Sequence, residues 1–144
     1  MTTDALVVVL VTHGSYGAAM VAAAEAIVGA LGVAVIELST EEVEPADIAR
    51  RLGDAVGEHP ALLLSDLCGS TPANVCLALA ATRSRCEVIT GVNLPMLVKL
   101  ANCEALREAG RASALALELQ RSSRRSIQRG VELSTVGARG RDER

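Results

Sequence analysis

The chain has 144 residues, half of them apolar, a net charge of −3 and a single aromatic side chain, Tyr16. That length builds one domain with a real core, and so high an apolar fraction excludes disorder of the whole chain. With no Phe or Trp, recognition of bases by aromatic platforms is excluded and stacking on sugars is disfavoured, so no nucleic-acid partner is expected. The charge is uneven: residues 121–144 carry seven Arg against Glu132, Asp142 and Glu143, a balance of +4 that leaves −7 on residues 1–120. The basic end reads as a solvated terminus. Cys68, Cys76, Cys86 and Cys103 contain no C-x-x-C pair, which favours packed, reduced thiols in a cytoplasmic protein over a zinc site or a disulfide framework.

In chain order, residues 6–11 form a continuous run of Val and Leu, the signature of a strand buried on both faces. Thr12-His13-Gly14-Ser15 breaks the run, and the Ala-rich residues 18–31 read as a helix that Gly32 ends. Residues 33–38 follow as a second strand. Residues 17–36 contain one charge, Glu25, but Gly29 and Gly32 divide them into a helix-like and a strand-like half. No membrane span is expected there, and Asp4 before the first apolar run argues against a signal peptide. Residues 39–44 are a polar, acidic loop, and Pro45 suits the first turn of a helix to about residue 57, with Ile48, Leu52, Ala55 and Val56 on one face.

After His59-Pro60, residues 61–64 form a third buried strand that ends at Ser65-Asp66. Gly69-Ser70-Thr71-Pro72 leads into a helix to about residue 82, with Thr71 expected as its cap and Pro72 as its first helical residue. Residues 87–91 are a fourth strand, Asn93-Leu94-Pro95 starts a helix to about 102, and one last helix is expected over 103–121. Strictly alternating strands and helices imply one α/β domain with an open parallel sheet and helices on both faces.

Ligands of such sheets bind beyond the carboxyl ends of the strands, where the strand order reverses. Three polar junctions lie at that edge: 12–15, 66–74 and 93–95. Were the strand order 2-1-3-4, His13 and Asp66 would face each other across the crevice. A carboxylate on one imidazole nitrogen fixes the tautomer and leaves the other as nucleophile or base. From position alone, His13 is equally an ordinary loop histidine; His59, at the opposite edge, reads as structural. The loop after Asp66 decides for the first reading. The helix starting near Thr71 and the one starting beside Gly14 each present amides and a positive dipole end, which suits an anion held on the ring. His13 and Asp66 are therefore the candidate catalytic pair, with Gly14 and Thr71 at the two helix starts that would hold a phosphoryl group. Cys68, inside this loop, reads as an inert packed thiol. There is no nucleotide-binding glycine loop and no nucleophile elbow, and no pattern asks for a metal or a cofactor.

At these residues the sequence resembles the mannose-family enzyme IIA of the bacterial phosphoenolpyruvate-dependent sugar phosphotransferase system. Three blocks carry the likeness: a strand running into Thr12-His13-Gly14, then Asp66-Leu67-Cys68-Gly69-Ser70-Thr71-Pro72-Ala73-Asn74, then Gly91-Val92-Asn93-Leu94-Pro95-Met96-Leu97-Val98. Together they cover about residues 5–120. The resemblance implies that His13 is phosphorylated by the histidine phosphocarrier protein and passes the group to an enzyme IIB partner, with Asp66 orienting the imidazole and the Ser70-Thr71 region lining the phosphate pocket. It implies a sheet of order 2-1-3-4 and a homodimer that exchanges a further strand, for which residues 130–135 are the candidate. Residues 1–122 would then be the phosphotransfer domain and 123–144 a basic tail. Leu67, Cys68 and Ala73 depart from some relatives, which bears on the partner surface more than on the chemistry. Two other readings use the same residues: the phosphocarrier subunit of a dihydroxyacetone kinase, against which the 91–98 block counts, and a non-catalytic signalling module in which His13 is a switch.

Overall fold

Residues 4–39 and 44–130 are described by the computed structural model. Its elements are β1 (Val7–His13), α1 (Tyr16–Val28), β2 (Ala34–Leu38), α2 (Pro45–Val56), β3 (Ala61–Ser65), α3 (Thr71–Ala80), β4 (Cys86–Thr90), α4 (Leu94–Leu100), α5 (Glu104–Glu108) and α6 (Ala112–Ser126). The four strands form one sheet of order β2-β1-β3-β4, every neighbouring pair parallel. The expected α/β fold and strand order are both present.

Alternation along the two central strands builds the two halves of the core. Val8 and Leu10 of β1 and Leu62 and Leu64 of β3 point to one face, where they meet Met20, Val21 and Ala24 of α1, Met96, Leu97 and Leu100 of α4, and Leu115 and Leu119 of α6. Val9, Val11, Ala61 and Leu63 point to the other, against Ile48, Leu52 and Val56 of α2 and Val75 and Cys76 of α3. Both faces of these strands are dry, which is why they read as unbroken apolar runs rather than as alternating ones. Each fully buried Leu adds about 1.5–3 kcal/mol of transfer free energy, so the layers are held by many aliphatic contacts of ordinary strength.

The chain leaves β1 toward β2 on one side and leaves β3 toward β4 on the other. The order therefore reverses between β1 and β3, and the crevice at their carboxyl ends is the switch point of the sheet.

Several boundaries differ from expectation. α1 spans Tyr16–Val28 and ends at Gly29, not at Gly32. β1 runs two residues further, through Thr12 and His13, because Thr12 is fully buried and paired with Glu37 while His13 pairs with Leu38. The last expected helix is two, α5 and α6, separated at Gly110. Gly110 has φ +63°, and a Cβ there would lie 2.3 Å from the Asp4 carbonyl oxygen, so the chain turns sharply where only glycine fits. α6 then continues to Ser126, with Leu115, Leu119 and Ser123 buried along one side. Residues 40–43 of the acidic loop and 131–135 of the candidate exchanged strand lie outside the described residues. No helix among the described residues is long and apolar enough to cross a membrane.

Candidate functional site

His13 is the last residue of β1 and Asp66 the first after β3, so the register of the two central strands brings them together across the switch point. One carboxylate oxygen, Asp66 Oδ2, accepts twice from the same residue: from the His13 backbone N–H at 2.8 Å, and it lies 2.8 Å from His13 Nδ1. With Nδ1–H donated to the carboxylate, the lone pair of Nε2 is left free. The two side chains are exposed very differently, 47% for His13 and 10% for Asp66. An accessible nitrogen is thus backed by a buried anion.

Burial of Asp66 would raise its pKa, but the two hydrogen bonds from His13 and the charge of a protonated ring oppose that, and the carboxyl lies below its ordinary value of 3.8. It is ionised wherever the ring needs it. The other oxygen, Asp66 Oδ1, is buried with no hydrogen-bond partner among the described residues, as is Ser65 Oγ beside it. Oδ2 alone therefore carries the interaction with His13.

The expected phosphate-binding residues sit around this pair. Gly14 has φ +48° and turns the chain out of β1, but its N–H donates to the Leu38 carbonyl at 2.8 Å, so it shapes the turn rather than offering an amide. Ser70, not Thr71, caps α3: its Oγ accepts from the Ala73 N–H at 3.4 Å and donates to the Leu67 carbonyl at 2.6 Å. Thr71 is the first helical residue. Two adjacent hydroxyls before one proline made the cap ambiguous by a single position. Among the described residues nothing accepts from the amides of Gly69 and Thr71, which leaves donors for an anion at the start of this helix.

Cys68 corrects another expectation. It is exposed in the loop rather than packed. Cys76, on α3, is the inert one, its thiol pushed up to about 12 mainly by burial and then by the neighbouring Cys86 and Asp66 charges. The third junction also takes shape. Asn93 caps α4 by accepting from the Met96 N–H at 3.1 Å, and its amide donates to the buried Ser123 Oγ of α6 at 2.6 Å. His59 is exposed at the far edge, its N–H on the Val56 carbonyl.

Two residues at the site were not singled out in the sequence. Thr12 Oγ1 accepts from the Gly17 N–H at 2.9 Å, and Glu37 Oε1 accepts from the Ala18 N–H at 3.0 Å. They are cross-strand partners on β1 and β2, and together they cap α1, whose own cap residue Ser15 makes no such bond. A hydroxyl directly before His13 was a visible signal for Thr12. Glu37 could be found only from the strand register.

The family profile of the PTS system fructose IIA component matches residues 7–117. Among solved structures, the phosphotransferase system component EIIA from Streptococcus agalactiae is 26% identical with a TM-score of 0.77, over 86% of this chain and 96% of that one. The mannose/sorbose specific IIA subunit of the phosphotransferase system from Enterococcus faecalis is 25% identical with a TM-score of 0.76, over 87% and 94%. The PTS IIA protein associated with the fucose utilization operon from Streptococcus pneumoniae, 23% identical with a TM-score of 0.58 over 79% and 93%, shares the fold. None of the curated proteins matches the chain significantly.

Proposed function

The chain belongs to the mannose-type IIA family of the sugar phosphotransferase system, and from that membership we propose that it is a cytoplasmic phosphoryl carrier working through a phosphohistidine at His13. It accepts the group from the histidine phosphocarrier protein and hands it to an enzyme IIB partner. The single observation that carries this reading is the exposed His13 ring with Nδ1 held at 2.8 Å by buried Asp66. Such a ring has a free nucleophile at Nε2 that a partner protein can reach.

In the first step the Nε2 lone pair forms a new N–P bond while the donor's N–P bond breaks and its electron pair returns to the donor imidazole. The Nδ1 proton stays on His13, shared with Asp66, whose charge stabilises the ring as it becomes cationic. The open amides at the start of α3 hold phosphoryl oxygens. The second step is the reverse, toward the IIB partner. Four free cysteines fit the reducing compartment this role needs.

Incubation with phosphoenolpyruvate, enzyme I and the phosphocarrier, read by intact mass, tests the reading. The wild type should gain one acid-labile phosphoryl group and His13→Ala none. A wild type that gains nothing, or a variant that gains as readily, overturns it.

The active form is proposed to be a homodimer in which residues 130–135 of each chain add to the β4 edge of the other. β4 ends the sheet among the described strands, and a groove of about 360 Å³ runs along it, lined by Val88, Ile89, Thr90, Ala116, Leu117 and Gln120. An unpaired edge of this kind is a template for another strand. Truncation after Arg129 should give a monomer in size-exclusion chromatography with light scattering; a surviving dimer rules the exchange out.

A further inference from the structure

We propose that Glu37 is a positioning residue that raises the transfer potential of the phosphoryl group by placing a carboxylate on the α1 terminus beside His13. The inference rests on the phosphohistidine reading above and adds to it a side-chain determinant on β2.

Helix α1 starts three residues after His13, and its positive end would by itself attract an anion carried on the ring. Two of its amides already have side-chain acceptors. Ala18, the third helical residue, donates to Glu37 Oε1 at 3.0 Å, while Gly17 before it donates to Thr12 Oγ1 at 2.9 Å. Ala19 donates to the Ser15 carbonyl, and Gly14 to Leu38. Thr12 would suffice as a neutral cap of the usual kind. Glu37 differs from it by a full negative charge, which opposes the positive end of the dipole. The helix across the crevice, α3, is capped by the neutral Ser70 and has no acidic residue in its first turn.

Glu37 is placed where it is by the register. It pairs with Thr12, one rung before the His13–Leu38 pair, so its side chain and that of Thr12 reach successive α1 amides side by side. A fixed negative charge one rung from His13 repels the phosphoryl dianion more than it affects the empty ring. It therefore makes phosphorylated His13 a better donor and a poorer store. A mere cap would not do this. Glutamine keeps the accepting oxygen and loses only the charge, which separates the two roles.

The test equilibrates the full-length wild type, Glu37→Gln and Glu37→Ala with phosphocarrier protein charged by a limiting amount of phosphoenolpyruvate and enzyme I. The phosphorylated fraction of each protein is read by intact mass, and Tm is measured alongside. Glu37→Gln should shift the equilibrium toward the phosphorylated chain by about three-fold or more at low salt, with Tm close to wild type and a smaller shift at high ionic strength. Glu37→Ala should show a similar shift with a lower Tm. An unchanged equilibrium in Glu37→Gln, on a wild type that is phosphorylated at His13, overturns the tuning role and leaves a cap. A wild type that takes no phosphoryl group overturns the carrier reading first, and this inference with it.

Discussion

Helices α1 and α3 begin on opposite sides of His13, yet α1 borrows its caps from two strands while α3 caps itself. Thr12 of β1 and Glu37 of β2 meet successive amides of α1, whereas Ser70, from the loop that leads into α3, serves that helix alone. The start of α1 is thus fixed by the sheet and its field is damped by a carboxylate. The start of α3 is held within the local sequence 67–74 and has no carboxylate on it. Two helix ends that look equivalent in a topology diagram are held differently: one by side chains of two strands, the other by a hydroxyl of its own loop.

Asp66 stands between the two starts, and Asp66→Asn breaks the arrangement most severely. The amide no longer favours a protonated Nδ1, and the rate of phosphorylation of His13 should fall at least about 100-fold in single-turnover mixing, by analogy with other carboxylate-oriented histidines. The same residue sets an acid limb. Its carboxyl lies below 3.8 in the folded protein, so its contribution to stability is complete above about pH 4, where the unfolded chain is also ionised. It is lost as pH falls through the lower folded value. Urea titrations between about pH 5 and 2 should show that loss in the wild type and a shallower slope in Asp66→Asn.

Gly17→Ala tests the α1 side. A Cβ at Gly17 would lie 2.6 Å from Thr12 Oγ1 and 3.0 Å from Val35 Cγ1, and the cost should be about 2 kcal/mol in chemical denaturation. The sharpest comparison is the smallest. Thr12→Val and Ser70→Ala should each cost about 1 kcal/mol of stability, but only Ser70→Ala should slow phosphorylation. Equal rates in the two variants would show that the two helix starts are functionally alike.

Much of this was legible in the chain. Both central strands are buried on both faces, so their apolar runs and the punctuation at Gly14 and Ser65 made the order of elements readable. His13 and Asp66 could be paired because strand ends of a parallel sheet share an edge. What stayed hidden depended on neighbours distant in sequence. Thr12 looked like the first loop residue because a buried hydroxyl in a strand is recognisable only once its partner, the Gly17 amide, is known. Glu37 looked like an ordinary polar strand position for the same reason. The break at Gly110 lay within an Ala-rich helical stretch, and its cause is a contact with the Asp4 carbonyl more than a hundred residues away.

The bond between Asn93 and Ser123 has a directional meaning. Helix α6 begins at the lower rim, by Gly110 and the starts of β1 and β3, and climbs to the rim where Asn93 caps α4. Pinned there, the chain departs from the fold on the same side as His13, with Arg124 and Arg125 in its last helical turn. The acidic body and the arginine-rich segment are therefore joined at the rim that carries His13. Any docking protein that approaches His13 meets both signs of charge at once, a mixed electrostatic address rather than a uniformly acidic one.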